Sequence, residues 1–121
     1  MKKNISKITS IALASLLFTS AAHAAGGTTS DVVPTSVEIV RNDGFMVFGE
    51  FGNPAATPCT TDNAIWVPIS HPQYEGLLST AITAVAGQLK LKAYVHTCTA
   101  IGWHGGTWNT VEPSGVLYIS R

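Results

Sequence analysis

The stretch that decides the fold is residues 59–98, CTTDNAIWVPISHPQYEGLLSTAITAVAGQLKLKAYVHTC, which begins and ends at the only two cysteines of the 121-residue chain. At its centre, apolar residues recur after Tyr74 at helical spacings, namely at Leu77, Leu78, Ala81, Ile82 and Val85. This stripe predicts one amphipathic helix over about residues 71–86. Ser70 is its expected N-cap, and Gly87 is its expected end.

Strands are predicted on both sides of this helix. Residues 65–69 form a short apolar run, and residues 88–98 alternate between apolar and polar side chains. The apolar set should pack on the helix; it comprises Leu89, Leu91, Ala93 and Val95. The other face carries Lys90, Lys92, Tyr94 and His96, and either solvent, a subunit interface or a ligand groove can lie against Tyr94 and His96.

An export signal precedes this unit. Residues 1–24 combine early lysines, a short apolar run and an Ala-x-Ala pattern at 22–24, which predicts a cleaved signal peptide and a mature chain that starts at Ala25. The apolar run is shorter than the roughly 20 residues of a spanning helix. We therefore expect a periplasmic or secreted protein of a Gram-negative bacterium, with no membrane span after cleavage. Since disulfides persist outside the cytoplasm, we also expect Cys59 and Cys98 to be bonded.

The rest of the mature chain divides into a flexible leader, residues 25–35, and a single domain, residues 36–121. Residues 36–41 and 45–51 read as a β-hairpin around Asn42-Asp43-Gly44. Apolar residues on both parities of 45–51 predict a strand that is covered on two sides, by the chain itself or by another subunit. With a final strand at 116–120, the order predicts an α+β domain, a small antiparallel sheet or barrel of about five to six strands with one helix.

Charge excludes some partners. Removal of Lys2, Lys3 and Lys7 leaves four of seven basic residues against seven acidic ones, a net charge of 4 − 7 = −3. Such a chain is a poor candidate for binding nucleic acid, and it has no polybasic stripe for anionic lipid.

No catalytic or metal-binding pattern stands out. Ser70, His96 and Asp62 are a possible hydrolase set, but no Gly-x-Ser-x-Gly motif accompanies them. The mature histidines lack metal-type spacing; they are His71, His96 and His104. We therefore predict a non-enzymatic protein with no cofactor and no metal.

The aromatic, glycine-rich segment 103–109 is the candidate binding loop. It holds Trp103, His104, Trp108 and Asn109. Aromatic faces stack on the apolar faces of sugars, and loops carry such sites. The other interpretation is that a tryptophan plugs the core or an interface. Tyr94 and His96 are further candidate ligand contacts, whereas Trp66 is expected in the core.

The segment 59–98 resembles a known family in its Cys, its Ile65-Trp66-Val67-Pro68 step, its helix ending in Ala86-Gly87 and its alternating strand. It is similar to the B subunits of subtilase-cytotoxin and pertussis-like toxins. The resemblance implies an OB-like barrel with one helix, a pentamer-like homo-oligomeric ring, a cell-surface glycan as ligand and a toxin A subunit as partner. It assigns no sugar-contacting residue here. The alternative expectation is a stand-alone periplasmic or envelope protein with a structural or inhibitory role.

Overall fold

A computed structural model describes residues 26–54, 58–102 and 104–121. The predicted signal peptide, residues 1–24, and Trp103 lie outside the described residues. The elements in chain order are β1 (Gly27–Thr28), β2 (Ser36–Val40), β3 (Gly44–Phe48), β4 (Ala64–Pro68), α1 (Tyr74–Gly87), β5 (Lys90–Val95), β6 (Thr97–Ala100), β7 (Thr107–Thr110) and β8 (Val116–Ser120).

The strands form two sheets. One has the order β1-β5-β8, and the other has the order β2-β3-β4-β7-β6. All pairs are antiparallel except β4 and β7, which are parallel. The predicted α+β class with one helix is confirmed. The strands are more numerous than predicted, and neither sheet closes into a barrel within the described ranges.

The long strand predicted over residues 88–98 is interrupted at His96. Residues before it pair with β8 as β5, and residues after it pair with β7 as β6, so the segment turns from one sheet into the other. Its alternation is nevertheless confirmed, because Leu91, Ala93 and Val95 are fully buried in one core cluster with Ala81 and Ala84 of α1.

The predicted hairpin is β2–β3, with Val40 opposite Gly44. In its turn, positive φ falls on Arg41 (43°) and Gly44 (155°). The asparagine and aspartate between them do not adopt positive φ, although their type favours it.

The helix begins three residues later than predicted, and Ser70 is not its cap. The N-cap residue is Gln73, whose side chain makes no capping hydrogen bond. Instead, Nδ1 of His71 accepts a hydrogen bond from the N–H of Gln73 at 3.0 Å. The helix ends at Gly87 as predicted, but the left-handed C-cap residue is Gln88, at φ 51°.

The core lies on both faces of the five-stranded sheet. The cluster between this sheet, α1 and β5 contains Phe45, Val47 and Ile65. The cluster on the opposite face contains Met46, Trp66 and further residues, namely Val40, Ala64, Ile101 and Trp108. Both faces of β3 are therefore covered, as predicted, and residues of the same chain supply both covers.

The predicted disulfide joins Cys59, in the loop before β4, to Cys98 in β6 at an S–S distance of 2.05 Å. Such a bond is compatible with a protein outside the cytoplasm. Among the residues that the structure describes, no helix is long and apolar enough to cross a membrane.

Candidate functional site

Trp108 lies within the second core cluster and is only 5% exposed. Its Nε1 donates a hydrogen bond to the carbonyl of Gly105 at 2.9 Å. Because the indole bonds to the loop that precedes β7, its burial holds that loop against the sheet. The placement matches the interpretation of Trp108 as a core residue, while a role in ligand contact stays a prediction.

Asn109 is fully buried and connects three segments. Its Nδ2 donates to the carbonyl of Gly52 at 2.9 Å, and its Oδ1 lies 3.3 Å from Sγ of Cys59. Since a buried amide is costly unless bonded, these contacts give Asn109 a structural role beside the disulfide. Its predicted role as a ligand contact is not tested by them.

His104 lies against two aromatic rings and one carboxylate. Its ring centroid is 6.2 Å from that of Phe48 and 5.8 Å from that of Trp108. Its Nε2 is 3.0 Å from Oε1 of Glu38 on the edge strand β2. Phe48 contacts Trp108 edge-on at 6.5 Å. We call Phe48, His104 and Trp108 the aromatic patch.

A cleft of about 380 Å³ adjoins this patch. Phe48 is common to both, because it is also one of the residues that line the cleft. The other lining residues are Val32, Val33, Thr35, Ser36, Gly49, Glu50 and Asn63. The lining therefore combines one aromatic residue with a threonine, a serine, a glutamate and an asparagine. We call it the Phe48 cleft.

A second, smaller cleft of about 270 Å³ lies near the β2–β3 turn. It is lined by Asp43, Trp66, Pro68 and residues 99–102. Trp66 is nearly fully buried, as the sequence predicted, so this cleft presents little aromatic surface to a ligand.

Tyr94 and His96 contact each other at the junction of the two sheets. Their rings meet edge-on at 4.8 Å. Nε2 of His96 is 3.5 Å from Oγ of Ser114, and its buried Nδ1 has no hydrogen-bond partner among the described residues. The described ring contacts do not join this pair to the aromatic patch, so the predicted ligand residues form two separate groups.

The three histidines within the described ranges have different neighbours. His71 is buried and bonds to Gln73 and to the carbonyl of Glu112, whereas His104 bonds to Glu38. Within residues 26–54, 58–102 and 104–121, no group of three or more His, Cys, Asp or Glu is placed to hold a metal ion.

Sequence reasoning missed Phe48 and Glu38 as parts of the site. Both lie in the predicted hairpin and were assigned only to strands. Their neighbours across the patch are 56 or more positions away along the chain, so hairpin periodicity carries no information about them. The one usable signal was the double-sided apolar pattern of residues 45–51, which implied that something covers the second face.

Comparisons of the chain with protein-family models, with curated proteins and with solved structures found no match.

Proposed function

We propose that this chain is an exported, non-enzymatic glycan-binding domain, and that the Phe48 cleft is its sugar site. The observation that carries the proposal is the position of Phe48. Phe48 lines this cleft, and its ring also contacts His104, a residue of the loop that the sequence singled out.

The chemistry of the cleft suits a sugar. A half-buried aromatic ring offers a flat apolar surface, and a few placed polar groups fix the orientation of a bound ligand. Here those groups are Glu50, Asn63 and the hydroxyls of Thr35 and Ser36. Glu38 and His104 contact each other beside the Phe48 ring, outside the cleft lining.

The arrangement of the strands supports an OB-like fold in this proposal. Two chain segments contribute to both sheets, β1 continuing to β2 and β5 continuing to β6. The first segment also bonds to β5 between the two strands, through Thr29 N–H to the carbonyl of Ala93 and a bridge of Val32 with Leu91. The OB-fold is a partly open five-stranded barrel that binds oligosaccharides, and we propose that the two sheets with their shared segments correspond to it.

A glycan array, followed by calorimetry with the best binder, tests the site. Phe48→Leu keeps an apolar side chain and removes the aromatic face, so we expect affinity to fall roughly tenfold or more, in line with a loss of about 1.5 kcal/mol. Glu50→Gln should also weaken binding, because it removes a charged acceptor.

Tyr118→Leu is the matched control, since Tyr118 is an exposed aromatic residue on the other sheet. An array without any binder would count against glycan binding itself. Equal affinity of Phe48→Leu and the unchanged protein would remove the Phe48 cleft as the site.

Self-association into a ring, with an A subunit as a further partner, belongs to the same proposal. Ile39 on the edge strand β2 is 60% exposed, and Ile82 on α1, which packs near β2, is also exposed. Exposed apolar residues beside a strand edge favour contact with another subunit. Light scattering on the exported protein measures its molar mass and distinguishes the two hypotheses. We expect the mass of a ring, whereas the mass of a monomer would favour the stand-alone envelope protein.

A further inference from the structure

Strand β8 leaves one backbone edge unpaired among the described residues. It pairs only with β5, and it is an outer strand of the sheet β1-β5-β8. None of the described hydrogen bonds involves the other edge of residues 116–120. A row of free N–H and C=O groups is a template for one more strand.

The sequence of β8 does not protect this edge. The strand reads VLYIS, without charge, proline or glycine, whereas natural edge strands are commonly blocked by charged residues, prolines or bulges. Its large apolar side chains are also accessible: Val116 is 38%, Tyr118 48% and Ile119 39% exposed. An open edge with accessible apolar side chains is suited to binding an extended peptide.

The outer face of the same sheet is positively charged. Lys90 and Lys92 lie there, because Leu91 and its alternates face the core. Nζ of Lys92 lies 5.5 Å from the centre of the Tyr118 ring, so this ammonium group leans towards β8. Arg121 directly follows the strand.

The strands of this sheet carry no negative charge, and the carboxylate of Glu112, which precedes β8 by four residues, accepts a hydrogen bond from the hydroxyl of Thr97 at 2.6 Å. None of the seven acidic residues belongs to β1, β5 or β8. Asp31 is close to this sheet in sequence, but its neighbour Val32 pairs with Leu91 on the side of β5 away from β8. Three of the four Lys and Arg residues in the described ranges therefore accompany this one sheet, in a mature domain whose net charge is negative.

We propose that β8 is a docking edge for an extended acidic segment of a partner protein, which adds to the sheet as a further strand. Backbone hydrogen bonds to β8 supply affinity, and alternate acidic side chains meet the lysines. An added strand would lie about 10 Å from β5, two strand spacings away. A lysine and a glutamate side chain together span that distance over Tyr118.

Charge argues against two other occupants. Pairing of β8 with β8 of a second copy would add a second lysine-bearing face and would supply no carboxylate to Lys90 and Lys92. Residues 1–24 of the chain itself carry lysines and no acidic residue, so they do not complement the face either. The proposal stands independently of glycan binding, because the Phe48 cleft is in the other sheet.

The test uses the exported protein and a labelled seven-residue peptide of alternating Glu and Val with blocked ends. We expect binding by fluorescence anisotropy, with shifts and slower hydrogen exchange of the amides of residues 116–120 in NMR spectra. Lys90→Gln with Lys92→Gln should weaken binding roughly tenfold and reduce its salt dependence. N-methylation of alternate peptide amides, which blocks strand addition without changing charge, should abolish binding for one of the two alternate sets.

The matched control is Asn42→Asp with Ala100→Glu, two exposed positions in the β2–β3 turn and in β6 that change the net charge by the same −2. It should leave peptide affinity within about twofold, because both positions belong to the five-stranded sheet, which does not include β8. Four results would overturn the proposal: no peptide binding, equal binding of both N-methylated peptides, equal binding of a Lys/Val peptide, or lysine-dependent binding only to phosphatidylglycerol vesicles.

Discussion

His71 is a buried side chain that connects two segments of the fold, and no sequence pattern predicted this role. It is 4% exposed, and its Nδ1 accepts from Gln73 while its Nε2 donates to the carbonyl of Glu112 at 2.9 Å. The imidazole thus ties the start of α1 to the segment after β7. The sequence placed this residue at the helix start and offered it as a possible metal ligand, but it did not predict these hydrogen bonds, because one of the partners is 41 positions away along the chain.

We predict that His71→Ala lowers the free energy of unfolding by about 2 kcal/mol, since it removes two hydrogen bonds of roughly 1 kcal/mol each. His71→Asn should lose about half as much, because its amide oxygen can still accept from Gln73. Urea denaturation measures both. Glu38→Ala, which removes a partly exposed contact with Nε2 of His104, should cost less than about 1 kcal/mol, and an equal cost for His71→Ala would refute this role of His71.

Tyr74 gives the fold a dependence on alkaline pH. Burial, and to a smaller extent the charge of Glu75, raise the pKa of Tyr74. In the unfolded chain a tyrosine ionises near pH 10, so above that pH the folded state holds more protons than the unfolded state. The free energy of unfolding should therefore fall as pH rises from about 10.

Tyr74→Phe should make this alkaline decline shallower, because phenylalanine keeps the edge contact with Phe45 at 5.4 Å and has no proton to lose. Urea denaturation of both proteins between about pH 8 and 11 measures the difference. Parallel stability curves would show that Tyr74 does not contribute to the decline.

The β2–β3 hairpin is the element whose existence was easiest to predict and whose turn was hardest. Alternation and the Asn-Asp-Gly signal identified it correctly. The turn conformation depends on Gly44, because a Cβ there would lie 2.2 Å from the carbonyl oxygen of Val67 on β4. A glycine is therefore needed at position 44 because β4 approaches so closely, and the sequence of the hairpin carries no information about that approach.

We expect Gly44→Ala to destabilise the protein by about 3 kcal/mol, through that clash and its positive φ. Gly52→Ala is the matched control: Gly52 also has positive φ, 76°, but nothing lies within 4 Å of a Cβ there. It should cost only the backbone strain of about 1 kcal/mol. Thermal unfolding compares the two, and similar losses would show that the close approach to Val67 is unimportant.

At the scale of the whole molecule, the disulfide and Asn109 tie together segments that are remote in sequence. The bond links the loop before β4 to the edge strand β6 over a separation of 39 residues. Asn109, on the adjoining strand β7, also bonds to Gly52. This corner supports the sheet that carries the aromatic patch.

Replacement of both cysteines by alanine should lower the free energy of unfolding by about 4 kcal/mol, the chain-entropy value for a loop of this length. Guanidinium denaturation with and without dithiothreitol measures the effect. The double variant should be insensitive to the reductant, which makes it the internal control. An unchanged midpoint for the reduced protein would show that the bond contributes little.

The sequence by itself determined the features that depend on neighbours along the chain: the helix, the hairpin, the alternation of residues 89–95 and the pairing of two lone cysteines. These follow from local periodicity and composition. Tertiary structure alone decided the division at His96 into two sheets, the parallel pairing of β4 with β7, and the meeting of Phe48, His104 and Glu38. These depend on contacts between segments far apart in sequence, whose geometry is set by packing and strand pairing.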